Sequence, residues 1–379
     1  MIVRKVLMTE MQKGIFLDCQ IGSPEAYHIA ATIRIRNLDE TLLEHALLLL
    51  IHEQAALRSC VEIVDDLPGL TVYREAGLPL VKYDLTSEPG KREEQARNII
   101  EQAICRPFDL FRPPLFRAAL IKIAEQTHLL TICIHHLVAD GLSLNILVRK
   151  WFEYYDVLAG SRMIPLRQDN GFIDFIRHEN DKLQAGKYRE HRQYWIDKMH
   201  GAEPPALQLD YPLPQRIQGV GREIRLPVSS DLFERLQERA AEHETTGFMF
   251  VMAAFALLLH QYTRQEDIVY ASPFTYRPDL QLEETIGCFV SMLPIRFNVQ
   301  RGENFLSLLR QAASELIQIY QHIGYPNNLI LRDSGLVPMP GSPSVLDVSL
   351  VYDAYEEEHG SLDTELVDLD VATFPGTLM

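Results

Sequence analysis

The 379-residue chain is short of basic residues: 36 Lys and Arg stand against 52 Asp and Glu, a formal net charge of −16. A surface of that sign repels polyanions, and no basic stripe with interleaved aromatics runs through it, so a nucleic-acid partner is excluded. Cysteine is sparse. Cys19, Cys60, Cys105, Cys133 and Cys288 are odd in number and widely spaced, which suits reduced core thiols in a cytoplasmic setting rather than a disulfide framework. Long apolar runs are missing as well. The longest, Phe248 to Leu259, falls short of the roughly 20 residues a bilayer requires and reads as a buried helix, so no membrane partner is expected. The N-terminal apolar stretch is broken by Arg4, Lys5, Glu10 and Lys13, unlike a signal peptide.

With 47% hydrophobic residues, a chain of this length buries one large or two medium cores, and length alone suggests two domains. A weak internal echo agrees. Ala30 to Arg36 alternates like a half-buried strand, and Asn37-Leu38-Asp39 then opens a helix carrying Leu42, Leu43, Ala46, Leu47, Leu50 and Ile51. In the second half Glu223 to Leu226 alternates likewise, and Ser229-Ser230-Asp231 offers an N-cap to a helix lined by Leu232, Phe233, Leu236 and Ala240. Between the halves, Gly201 to Gly221 is rich in Pro and Gly and reads as a surface connector.

The chemistry concentrates at Ile134-His135-His136-Leu137-Val138-Ala139-Asp140-Gly141-Leu142-Ser143. Leu129 to Ile134 is a short apolar run with β-branched residues, as in a strand covered on both faces. After the loop, Leu144, Leu147, Val148, Trp151, Phe152 and Tyr155 recur at helical spacing, with Asp140 or Ser143 as N-cap. The motif is therefore strand, tight loop, helix. Gly141 permits a positive φ or a close approach of substrate to backbone. An imidazole there is a candidate base, since its unperturbed pKa lies nearest neutrality, and a carboxylate four residues on orients it or braces the loop. Two other readings stand beside this one: a hydrogen-bonded structural pair, and a metal site. The second lacks ligands, because adjacent strand residues face opposite ways and no His-Glu-x-x-His or Cys-x-x-Cys supplies the rest; no metal is expected.

The pattern His-His-x-x-x-Asp-Gly resembles the signature of condensation domains of nonribosomal peptide synthetases. Other stretches are similar in order: Met8-Thr9-Glu10-Met11-Gln12, Ala56-Leu57-Arg58-Ser59, Arg106-Pro107-Phe108-Asp109-Leu110, Phe172-Ile173-Asp174-Phe175, Tyr194-Trp195 and Ile286-Gly287-Cys288-Phe289-Val290-Ser291-Met292-Leu293-Pro294-Ile295-Arg296. Two segments depart from the family pattern. His322 to Asn328 loses an acid, an aromatic and a glutamate, and Gln54-Ala55 stands where a charged His-Glu is usual.

The resemblance implies an α/β fold of two chloramphenicol-acetyltransferase-like lobes forming a V-shaped pseudo-dimer. By that analogy residues 1–170 form the first lobe with the His-His loop. Residues 171–379 form the second, which is expected to be incomplete because family members continue for a further strand and helix. The implied activity is amide formation between acyl or aminoacyl thioesters held on the 4'-phosphopantetheine of donor and acceptor carrier proteins, alongside adjoining adenylation domains. No cofactor is bound by the domain itself. The resemblance further implies that His136 acts as base or positioning acceptor, that the Gly141 amide stabilises charge on the thioester oxygen, that His135 anchors the loop, and that Asp140 pairs with Arg58 as a brace. Substrate-binding residues are not legible. Alternatives are a related acyltransferase working on a free small-molecule acceptor and a catalytically silent condensation-like recruitment domain. The missing Asp-Phe-Gly-Trp-Gly weighs against a plant-type acyltransferase, and Leu142-Ser143-Leu144 against an epimerisation domain.

Overall fold

The computed structural model describes residues 1–22, 24–64, 66–87, 90–160, 163, 167–211, 224–337, 342–352 and 362–367. The first half runs β1 (Ile2–Leu7), α1 (Glu10–Ile21), β2 (His28–Arg36), α2 (Glu40–Glu53), β3 (Ser59–Val64), β4 (Leu67–Tyr73) and β5 (Leu80–Asp84). It continues through α3 (Arg92–Cys105), β6 (Phe116–Ala124), β7 (Thr127–His135) and α4 (Gly141–Ala159). The second half holds α5 (Gly171–Gln184), α6 (Arg189–Met199), α7 (Ser230–Glu242), α8 (Gly247–Thr263), β8 (Asp267–Thr275) and β9 (Val290–Asn298). Last come α9 (Phe305–His322), α10 (Asn327–Asp333) and β10 (Asp363–Leu366).

Five strands form the main sheet in the order β10-β2-β7-β6-β5, antiparallel except for the parallel pair of β5 with β6. β7 lies at its centre and is covered on both faces, which is why its sequence is almost wholly apolar. Leu130, Ile132 and Ile134 enter the large core with α2 and α4, while Leu129 turns to a smaller cluster with Ala96, Ile100 and Ile104 of α3. Asp39 caps α2 through the amides of Thr41 and Leu42, as its sequence position implied. α4 lies on α2, and the Trp151 indole donates to the Leu43 carbonyl at 2.8 Å.

A second core gathers around the β8–β9 pair, with Met252, Ala253, Ala256 and Leu259 of α8, Leu308, Ala312 and Ile319 of α9, and Trp195 of α6. The division between the cores differs from a cut at residue 170. Phe172, Ile173 and Ile176 of α5 pack into the first core, and so do Ile286, Cys288 and Phe289 from the far side of the chain. The first lobe thus closes on a strip of the second.

The echo in the second half is half present. Ser229 caps α7 through the Leu232 amide, but Ile224 to Leu226 is irregular, and Glu223 lies outside the described residues, as does the connector from 212 to 221. Ile224 and Leu226 are exposed, and among the described residues no strand pairs with them. Alternation without a pairing partner does not make a strand. Leu232 and Phe233 are exposed as well, and in α7 only Ala240 is buried. The chain's last residues, 368–379, are likewise outside the described set. All five cysteines are free thiols, and no single helix among the described residues is long and apolar enough to cross a membrane.

Leu47 is fully buried where α2 meets the first core. Leu47→Ala should lower the unfolding free energy by about 2–5 kcal/mol, read as a lower urea midpoint at unchanged slope. A loss well under 1 kcal/mol would show that this layer collapses freely around the deleted atoms.

Candidate active site

β7 carries His135 to its last paired position, opposite His28 of β2. The next residue leaves the sheet, with the His136 amide donating to the Tyr27 carbonyl at 2.8 Å. Strand alternation sends the two imidazoles to opposite sides. His135 is fully buried among the rings of Tyr27, His28 and Phe108. Its Nδ1 accepts from the Leu137 amide at 3.1 Å, which makes the ring neutral with its proton on Nε2, beside Cys19 Sγ at 3.7 Å. Burial pushes its pKa down to about 3, and the neighbouring His28, His136 and Arg117 act in the same direction.

His136 alone in the stretch from His135 to Asp140 is partly exposed. Its Nδ1 lies 3.5 Å from Cys288 Sγ. Burial lowers its pKa, partly opposed by Asp140 and by hydrogen bonds from the ring to the carbonyls of His136 and Ala139. Carbonyls only accept, so these contacts favour a ring proton directed at the loop. The Cys288 thiol is held protonated, its pKa raised chiefly by burial.

The loop is held from below by Gln12. Thr9 and Gln12 form a capping box at the start of α1, and the Gln12 amide donates to the Leu137 carbonyl at 2.8 Å. Asp140 holds it from above. Its Oδ1 caps α4 by accepting from Ser143 N at 2.8 Å, and its Oδ2 accepts from Phe289 N at 3.0 Å. The cation beside it is Arg277, Nη2 to Oδ1 at 3.4 Å.

Arg58 does not pair with Asp140. Its guanidinium donates to the carbonyls of Ile51 at 2.9 Å and Tyr73 at 2.5 Å. Ile51 lies in the last turn of α2, where carbonyls lack helical partners and carry partial negative charge, so the cation is taken up there. The expected ion pair is therefore corrected to Arg277, which also donates to the Leu282 and Thr285 carbonyls and lies over the Phe289 ring at 4.1 Å.

Three further residues complete the clamp and were not picked out from the sequence as site residues. Ser143 Oγ donates to Gly287 O at 2.6 Å and accepts from Gly287 N and Arg277 Nη2, each at 3.1 Å, which uses its whole bonding capacity. Gln54 Oε1 accepts from Ile286 N at 2.9 Å, and its amide donates to Asp169 Oδ2 at 3.2 Å. Gly287 is required by space: a Cβ there would lie 2.4 Å from the Phe172 ring. The departure at Gln54 from the usual charged pair thus has a structural task.

Gly141 is the first residue of α4, so its N–H precedes any intrahelical acceptor. Its φ is not positive, and a Cβ would meet nothing within 4 Å, so the glycine borders open space. Among the described residues no three His, Cys, Asp or Glu side chains are grouped to hold a metal ion. A cleft partly open to solvent reaches the site through Cys288 and Phe289 and continues between α1, α5 and the α9–α10 turn. The divergent segment from His322 to Asn328 forms that far end. His322 stacks on Tyr194 at 3.9 Å, and Asn328 Nδ2 donates to the Glu10 carbonyl at 3.1 Å, joining the lobes.

Two outcomes test this geometry. A double-mutant cycle of Asp140→Asn with Arg277→Gln should show coupling on the order of 1–3 kcal/mol in urea unfolding, while the cycle with Arg58→Gln should be additive. Coupling confined to Arg58 would reverse the assignment. The second concerns pH. Burial also lowers the pKa of His28, to about 4. A lowered histidine pKa means that the unfolded chain takes up protons the folded one refuses, so the stabilisation is present above pH ~6.5 and is lost as pH falls towards the folded values. Between pH 6.5 and 5, His28 and His135 should each remove about 2 kcal/mol. Stability unchanged between those pH values would contradict both assignments.

A family model described as Condensation domain matches residues 2–374. Tyrocidine synthase 3 of Brevibacillus parabrevis is 31% identical over 323 residues, 84% of this chain and 5% of that protein, so the chain spans a small fraction of the curated relative's length. The solved X-domain from teicoplanin biosynthesis superposes with TM-score 0.81 at 22% identity, covering 98% of this chain and 84% of that one. The first condensation domain of the CDA synthetase does so with TM-score 0.77 at 20% identity, covering 98% and 88%. The fold is therefore the two-lobed chloramphenicol-acetyltransferase-like α/β arrangement. With that fold and a family match over nearly its whole length, the chain belongs to the condensation domain family of nonribosomal peptide synthetases.

Proposed function

We propose that the domain is an acyltransferase that forms an amide bond between two carrier-borne thioesters. The observation that carries this reading is that one loop presents a partly exposed imidazole whose pKa burial lowers, His136, beside the first amide of α4 at a glycine whose Cβ position is open, Gly141. The acceptor amine attacks the donor thioester carbonyl, and His136 takes the amine's proton as the C–N bond forms. The oxyanion draws on the Gly141 N–H and the positive end of the 19-residue α4. When the C–S bond breaks, the thiolate leaves with the proton from the imidazolium, and the amide remains on the acceptor side.

Asp140, Arg277, Ser143 and Gln54 act by position, fixing the strip Ile286–Phe289 against the loop. His135 acts in the same way, tying the loop's second residue back to the sheet end. The substrates are proposed to arrive on 4'-phosphopantetheine arms of donor and acceptor carrier proteins, with adenylation domains alongside, since the matched relative is a far longer protein. The domain itself is proposed to hold no cofactor, and its free thiols suit a cytoplasmic setting.

His136→Ala should leave the fold intact and lower product formation by roughly 10²–10⁴-fold, followed by intact-protein mass spectrometry of loaded donor and acceptor carriers. Product formation near the unsubstituted rate would overturn the base assignment. Binding of loaded carriers by the unsubstituted domain with no turnover would favour a recruitment role instead. Transfer to a free alcohol or amine but not to a carrier would favour the free-acceptor acyltransferase.

A further inference from the structure

The cleft beside His136 has a distinctive polar accounting. Its walls are largely apolar and aromatic, with Phe175 and Phe289 in ring contact at 4.9 Å and Tyr276 edge-on to Phe175 at 6.2 Å. Both wall carboxylates are already neutralised. Glu10 is held by Lys13 at 2.6 Å, and Glu179 by Lys182 at 3.1 Å and by the Tyr188 hydroxyl. Asn180 donates to the Leu7 carbonyl at 2.9 Å, and the Tyr325 hydroxyl to Asp333 at 2.6 Å. Ser291, also on the wall, differs: among the described residues its buried Oγ has no hydrogen-bond partner.

A charged group entering this cleft would give up water without meeting a free counter-charge, which is strongly unfavourable. An apolar ring or branched chain gains contact with the aromatic walls instead. A buried hydroxyl left without a partner is itself unfavourable, so a ligand that supplies an acceptor there binds better than one that does not. We propose that the cleft holds an uncharged acyl group with an aromatic or branched apolar side chain, and that the Ser291 hydroxyl donates a hydrogen bond to a carbonyl oxygen of that group. This deepens the proposed function and rests on it, because it takes the cleft at Cys288 as the seat of one thioester substrate.

The test is calorimetric titration of the full chain with two synthetic probes, 3-phenylpropionyl-pantetheine and succinyl-pantetheine. The phenylpropionyl thioester should bind at least about tenfold more tightly, the scale of one well-buried ring against an unpaired charge. Ser291→Ala should weaken phenylpropionyl binding about fivefold, the effect of one neutral hydrogen bond, and leave the thermal melting of the protein unchanged. Equal affinity for the two probes, tighter binding of the succinyl thioester, or no binding of either overturns the proposal. So does unchanged affinity in a folded Ser291→Ala. The probe comparison needs no variant, so a misfolded Ser291→Ala leaves it decisive. Because binding is read without turnover, a failed amide-forming reaction is distinguishable from a failed cleft assignment.

Discussion

The carboxylate of Asp140 is the point on which the arrangement turns. Its two oxygens take one amide from its own helix, one from the strip leading into β9, and a guanidinium from the end of β8. Each of these groups is buried, so none has water as a substitute partner. A buried ion pair adds little net stability over a well-packed apolar pair, because desolvation offsets most of the attraction. Removing one partner is different, since a charge and two amides then lie buried and unanswered. The contribution of Asp140 is therefore geometric: it sets where α4 begins relative to the second lobe, and so where Gly141 and His136 stand.

The paired histidines show how one residue type acquires two natures one step apart. His135 points into a dry cluster of rings, and its acceptor nitrogen is spent on Leu137. His136 is partly exposed and turns towards the other lobe, its Nδ1 3.5 Å from Cys288 Sγ. Both rings are neutral because burial disfavours the imidazolium. Neutrality alone does not make a base. What separates them is exposure, and it follows from the pleat of β7.

Much of this was legible before any coordinates, and what was not has a common cause. The strand, loop and helix around His136 follow from apolar runs and caps, which are local, as are Asp39 and Ser229 at their helix starts. The family resemblance ordered the remaining blocks. Partners more than a hundred residues apart leave no such trace: Arg277 to Asp140, Ser143 to Gly287 and Gln54 to Ile286. Arg58 was assigned to Asp140 by analogy, yet it answers a local demand, the free carbonyls at the end of α2. Ile224 to Leu226 had the right alternation but no neighbouring strand, and periodicity does not report neighbours.

The same strip serves as clamp and as cleft wall, and this constrains where selectivity resides. The amide of Phe289 is bonded to Asp140 while its ring faces the cleft, and Cys288 touches both His136 and the cavity. Widening the cleft at this end would break a hydrogen bond to a buried carboxylate, among the stronger kinds in a protein. The opposite end is built differently. Met11, Ile323 and Pro326 come from α1 and the α9–α10 turn, joined across the lobes by Asn328, whose Nδ2 donates to the backbone carbonyl and the carboxylate of Glu10. That end is where the chain departs from its family's pattern.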